Sequence, residues 1–156
     1  VEPGSARLVL CHSVLEMVDS PQSALDAIAQ ALAPGGAASL LVANRAGAVL
    51  SRAAGGHLTA AAAILDDPDG RTGDRDTLLR RFDPDSLDAL VRHAQLVPEQ
   101  LHGVQVVADL ASSAPREAEP GALPALLDFE LTAASRSPYR DCAAGLHVLA
   151  RKSSNA

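Results

Sequence analysis

The chain is short of aromatic side chains, with two Phe, one Tyr and no Trp in 156 residues. A core without large rings must be built from Leu, Val and Ala, and alanine removes little apolar area from water per residue. Cysteine is scarce as well. Cys11 and Cys142 lie far apart, which indicates neither a disulfide scaffold nor a zinc site, so a reducing cytoplasm is the expected setting. Cys11 sits in an apolar run and reads as a small buried hydrophobe. Positive charge is in deficit: the net charge of −6 argues against a broadly basic nucleic-acid surface, although a local patch can act inside an acidic whole. No apolar run approaches the span of a bilayer, and no signal-peptide pattern is visible. His57, His93 and His102 share no metal-ligand spacing, so no metal is expected. An initial Met is lacking too. The chain opens at Val1, almost directly into a buried-strand pattern, which predicts that its true beginning lies upstream.

What is present alternates strand and helix signals. Leu8-Val9-Leu10-Cys11 is a continuous apolar run, suited to a strand covered on both faces. Ser20-Pro21 supplies a helix cap and a proline at the first helical position. Leu25, Ile28, Ala29 and Leu32 then mark one helix face, and Pro34-Gly35-Gly36 is expected to stop that helix. Ser39-Leu40-Leu41-Val42 is the next strand, so strand, helix and strand form a crossover unit of a parallel sheet. Residues 46–65 are rich in Ala and Gly and predict one or two helices, and 66–76 reads as a turn-rich polar stretch. Arg80-Arg81 reads as a solvated pair ahead of a second cap-plus-proline signal, Asp83-Pro84. Leu87, Leu90, Val91 and Ala94 give another helix face. Val104, Val106 and Val107 mark a strand, 111–121 a polar loop, and Leu123, Leu126, Leu127 and Leu131 a helix. Leu146 to Ala150 is a final strand, ended by Arg151-Lys152. There is no internal repeat and no sign of a second domain.

The segment Leu8 to Val18 with Asp19 and Pro21, then Pro34-Gly35-Gly36 with the strand after it, then Asp83-Pro84-Asp85-Ser86-Leu87, resembles the carboxyl-terminal half of class I S-adenosylmethionine-dependent methyltransferases. The order of the set is what makes it specific. A narrower series is similar to the tRNA 5-carboxymethoxyuridine methyltransferases of the CmoM type. It comprises His12-Ser13-Val14-Leu15-Glu16, Asn44, Gly103-Val104-Gln105-Val106, Leu126-Leu127-Asp128-Phe129-Glu130, Pro138-Tyr139 and His147 to Lys152. The chain departs from that series twice. Ala143-Ala144-Gly145 are small where a basic or aromatic residue is expected, and Gln95 replaces the usual Gly after the penultimate helix.

The resemblance implies an α/β fold, the second half of a Rossmann-like sheet, mostly parallel with an antiparallel final strand. Residues 1–156 would be the carboxyl-terminal portion of one methyltransferase domain, with 45–81 as a lid or insert. It implies S-adenosyl-L-methionine as cofactor, with the glycine-rich loop and ribose-binding acid of the amino-terminal half absent. This chain alone would then be inactive. The activity implied is methyl transfer, with a carboxylate of a modified wobble uridine in tRNA as acceptor. Two alternatives stand beside it: a small-metabolite methyltransferase of the same fold, and a truncated chain that acts only as a binding module. His12 is the implied cofactor contact, against a reading as a hydrogen-bonded strand cap. Asn44, Tyr139 and Arg140 are the implied substrate contacts, Asn44 because it ends the strand on the edge where ligands of open α/β sheets bind, and Arg140 because a guanidinium grips carboxylates. For Asn44 a turn role stands beside this, and for Arg140 a solvated surface role. No catalytic base is evident, and a carboxylate acceptor, already ionised near neutrality, needs none. Glu16 reads as structural.

Overall fold

The computed structural model describes residues 2–108 and 122–154. The first strand, β1 (Ala6–His12), is followed by helix α1 (Pro21–Ala31) and strand β2 (Leu32–Ala43). Helices α2 (Arg45–Ala54), α3 (Leu58–Asp66) and α4 (Pro84–His93) come next, then strand β3 (Leu96–Val104), helix α5 (Ala122–Ala133), a short 3-10 turn at Arg140–Cys142 and strand β4 (Gly145–Lys152).

The sheet order is β1-β2-β4-β3. β1 and β2 are parallel, and β4 runs antiparallel to both β2 and β3. Three strands therefore share one direction, and the last in sequence is threaded between two of them in reverse. This is the α/β architecture expected from the sequence.

Local chemistry sets the helix starts. The Ser20 hydroxyl accepts from Ser23 N at 3.2 Å, with Pro21 in the first turn. At α4, Asp83 accepts from Ser86 N at 2.8 Å while the Ser86 hydroxyl accepts from Asp83 N at 3.0 Å, a reciprocal capping box. α1 and α4 bury Leu25, Leu87 and Val91 on one face of the sheet, against Cys11, Leu40, Val42, Leu146 and Val148. Burial of Leu25 alone contributes about 1.5–3 kcal/mol.

Three sequence expectations are displaced. α1 ends at Ala31, before the glycine pair, and Leu32 belongs to β2 while still filling the core. Pro34-Gly35-Gly36 lies inside β2 as an irregularity: between the pairs Ala6–Leu32 and Leu8–Ala37, β1 advances two residues and β2 five. Gly35 takes φ +74°, and a Cβ on Gly36 would stand 2.9 Å from the Ala6 carbonyl oxygen, so both positions need glycine. The third strand runs from Leu96 to Val104 rather than through Val106 and Val107. Pro98 falls within it, which is tolerated because β3 is the outer strand beside β4. The loop expected at 111–121 lies outside the described residues.

The opposite face of the sheet carries Leu8, Leu10, His12, Ser39, Leu41, His147, Leu149 and His102 by strand register. Leu8 and Leu10 are 56% and 64% exposed, and among the described residues no strand pairs with the outer edge of β1.

Candidate functional site

β1 and β2 end on the same edge, where His12, Ser13, Ala43 and Asn44 meet the turn that leads into β4. A cavity of about 180 Å³ opens there, lined by Ser13, Glu16, Ala43, Val104, Gln105 and Ala144 among others. No Lys, Arg or His is among its described lining residues. Three non-glycine residues have positive φ among the described residues, and two of them line this cavity: Ser13 at 54° and Gln105 at 57°. Left-handed backbone costs a non-glycine residue about 1–2 kcal/mol and is concentrated at sites with work to do.

Glu16 is the unusual group. It is 3% exposed, yet it is a carboxyl side chain on a turn. Its Oε1 accepts from Ala43 N at 3.2 Å, and its carbonyl accepts from Leu79 N at 2.9 Å. Its Oε2 is buried with no hydrogen-bond partner among the described residues. An unsatisfied buried acceptor costs about 1–3 kcal/mol, more if charged. Burial, and next the charge of Glu16, push the Cys11 thiol above its usual range. The sequence alone pointed to a structural role for Glu16; only the burial of Oε2 distinguishes it.

His12 lies at the end of β1 on the open face, as its place after an apolar strand predicted. Its Nε2 is 2.9 Å from the Ser39 hydroxyl, which is 2.7 Å from Nε2 of His147. The His12 and His147 rings meet edge-on with centroids 6.0 Å apart. His102 is the register partner of His147 on β3. A serine hydroxyl has one hydrogen to give. Ser39 can therefore donate to one ring and accept from the other, so one Nε2 receives a hydrogen and the other gives one. Burial first, then His12 and His102, hold His147 below the usual histidine range.

Asn44 shares the sheet edge with His12 but not the open face. It is fully buried and falls in the opposite phase of strand alternation from Leu41, the partner of His12. Its amide donates to the carbonyls of Asp141 at 2.9 Å and Ala143 at 2.7 Å, and its Oδ1 accepts from Ala46 N at 3.2 Å as the cap of α2. Expected to meet a substrate, this side chain is instead enclosed and both amide hydrogens are engaged by the fold.

Tyr139 is 56% exposed at the start of the 3-10 turn. Arg140 is partly exposed and paired: its Nε donates to Asp141 Oδ1 at 2.7 Å. Burial would raise the Asp141 carboxyl, but hydrogen bonds from Arg140 and Ser137 and the Arg140 charge hold it below its usual range. Ala143 explains one departure from the tRNA-methyltransferase series. A Cβ on Gly47 of α2 would stand 2.1 Å from the Ala143 oxygen, and one on Gly103 would stand 2.7 Å from the Ala143 Cβ. The turn is pinched between these two glycines, which leaves no room for a basic or aromatic side chain.

The Arg80-Arg81 pair, expected in solvent, is built in. Arg80 donates to the carbonyls of Leu15, Val18 and Asp19, and so braces the turn that carries Glu16. Arg81 is closed in a 2.7 Å pair with Asp76 and donates to the Gly70 carbonyl at 2.7 Å. Isolated sequence gives no signal for either contact, because the partners are backbone oxygens or lie across a loop.

The fold is shared with solved methyltransferase structures. An S-adenosylmethionine-dependent methyltransferase from Thermotoga maritima, described as a possible histamine N-methyltransferase, superposes with a TM-score of 0.59 at 16% identity, over 97% of this chain and 58% of that one. A methyltransferase of the same kind from Mesorhizobium loti gives 0.57 at 16% identity, over 96% and 63%. The 1,6-didemethyltoxoflavin-N1-methyltransferase of Burkholderia thailandensis, solved with its substrate and S-adenosylhomocysteine, gives 0.50 at 17% identity, over 97% and 45%. The chain thus spans roughly half to two thirds of the structures it resembles. No family model and no curated protein matches its sequence.

Proposed function

We propose that this chain is the acceptor-side portion of an S-adenosylmethionine-dependent methyltransferase. The observation that carries the reading is the sheet: order β1-β2-β4-β3, with β4 reversed, superposes over nearly the whole chain on methyltransferases, one of them solved with S-adenosylhomocysteine. The residues described here do not by themselves fit the cofactor. The cavity at the strand ends, about 180 Å³, is below the roughly 300–1,000 Å³ of pockets that enclose a ligand of that size. The bare face and free edge of β1 are where a further strand and its helices would complete the cleft, with His12 at its margin. In this reading 45–81 forms the lid or insert.

Two acceptors are in contention. The sequence series supports a carboxylate of a modified wobble uridine in tRNA, for which Tyr139 and Arg140 would be the contacts. The engagement of Arg140 by Asp141, and a cavity lined by no described cation, favour a small metabolite instead. Calorimetry with S-adenosylhomocysteine tests the reading. The chain alone should bind weakly or not at all, and the chain joined to an amino-terminal half bearing a glycine-rich loop should bind and transfer methyl. Micromolar binding by the chain alone would overturn the division into halves. Absence of binding after the halves are joined would leave only a non-catalytic binding module.

A further inference from the structure

We infer that the cavity at the strand ends is a binding site for a hydrogen-bond donor, an ammonium or hydroxyl group on a small organic molecule, received by Glu16. The methyltransferase reading enters only in calling that molecule the methyl acceptor; the binding site stands on geometry. Glu16 is anchored through Oε1 on Ala43 N, and its turn is braced by Arg80, so the carboxyl has a fixed orientation. Its second oxygen is buried and has no partner among the described residues. Glu16 is among the residues lining the cavity, and its unpartnered oxygen is the acceptor a donor bound there would satisfy. The rest of the lining agrees. The other side chains named there are small, apolar or neutral, and none supplies a cation that would satisfy Glu16 from within. Ser13 and Gln105, both in left-handed backbone, are two further uncharged residues of the wall.

Size and sign narrow the ligand. A volume of about 180 Å³ holds a share of roughly six liquid water molecules, enough for a short chain of heavy atoms and not for a nucleobase with its sugar. A carboxylate entering it would meet the Glu16 carboxyl with no described cation between them, whereas an ammonium or hydroxyl would form a hydrogen bond of the charge-assisted kind. This selects against an acid and for an amine or alcohol.

The test is a titration of the chain, followed by amide NMR, with three probes of matched size at constant ionic strength: propylammonium chloride, 1-propanol and sodium propionate. The amides of Ala43, Gln105 and Ala144 should shift with propylammonium, less with propanol and not with propionate. Glu16→Gln, which keeps the shape and removes the charge, should weaken propylammonium binding by about tenfold. The wild-type ranking of probes needs no variant, so the inference can fail even if Glu16→Gln does not fold. Propionate binding as tightly as propylammonium, no shift at these three amides with any probe, or a folded Glu16→Gln that binds propylammonium unchanged would each overturn it. Donor binding without methyl transfer by the joined halves would keep this inference and remove the methyltransferase reading. Methyl transfer to a carboxylate without donor binding would do the reverse.

Discussion

Replacing Asn44 separates a structural clamp from a ligand contact. The side chain has two duties in the structure: Oδ1 caps α2 at Ala46 N, and the amide holds the Asp141 and Ala143 carbonyls. Loss of an N-cap costs about 0.5–2 kcal/mol. Each buried hydrogen bond contributes about 0.5–1.5 kcal/mol net, and its removal strands a buried carbonyl. Asn44→Ala should therefore destabilise the fold by about 2–4 kcal/mol, which for a chain of this length lowers Tm by about 5–15 °C. Asn44→Ser should keep the cap, since serine is a good capping residue, and lose only the clamp, so it should fall about 1 kcal/mol short of the alanine loss. The chain has no Trp, so urea unfolding is best followed by far-ultraviolet circular dichroism. An Asn44→Ala cost below about 1 kcal/mol, within the range of ordinary surface substitutions, would refute the clamp and return Asn44 to the substrate contacts.

Two further outcomes follow from the same geometry. Gln95 sits at φ +59° after α4, so Gln95→Gly should stabilise the chain by up to about 1 kcal/mol in urea unfolding, part of the relief being offset by the freedom glycine gains in the unfolded chain; a loss of stability would show that the Gln side chain matters more than its backbone. His147 is held below the usual histidine range by burial and then by His12 and His102, so the folded chain takes up that proton less readily than the unfolded chain. Its contribution is complete above the unfolded histidine value of about 6.5 and is lost as pH falls from there through the folded value. The urea midpoint should thus drop as pH falls below the unfolded histidine value of about 6.5, and His147→Gln should flatten that drop; an unchanged slope in the variant would assign the effect elsewhere. The buried pair of Asp76 with Arg81 does not confuse this window. The Asp76 carboxyl is held far below its usual range, against the cost of burial, by hydrogen bonds from Arg81 first and then Thr72 and Leu78, so its contribution fades only below the unfolded carboxylate value of about 3.9.

Elements with a local cause were legible in the sequence. Ser20-Pro21 and Asp83-Pro84 start helices because a side-chain oxygen and a fixed φ act within four residues. The apolar runs at Leu8 and Ser39 became paired parallel strands, β2 inside the sheet and β1 beside it with Leu8 and Leu10 on a bare face. Elements set by pairing partners were less legible. β3 starts eight residues before Val104 because its register follows β4, and Pro98 within it concealed the strand. The site divides the same way. The position of His12 at the end of β1 was legible because it directly follows an apolar run. The roles of Asn44, Arg80 and Arg140 are decided by backbone carbonyls or a neighbouring carboxylate, which composition and spacing do not reveal. Glu16 was set aside because a turn carboxylate is ordinarily satisfied, and the one feature that marks it is a missing partner.

The open face and the histidine relay bear on each other. Leu8 and Leu10 present apolar surface beside a strand edge unpaired among the described residues, an arrangement that invites a covering element. Whatever covers that face also removes water from His12, now exposed, and deepens the burial of Ser39 and His147. Desolvation disfavours the charged imidazole of His147, and the single Ser39 hydrogen needs one unprotonated Nε2 to receive it, so the relay accommodates at most one charged ring with both contacts made. Covering the sheet and protonating His147 are therefore opposed processes: deeper burial of His147 holds it further toward the neutral form. The relay thus couples the state of the sheet face to pH, while the cavity of Glu16, which opens at the strand ends and holds no histidine among its described lining residues, is chemically separate from it.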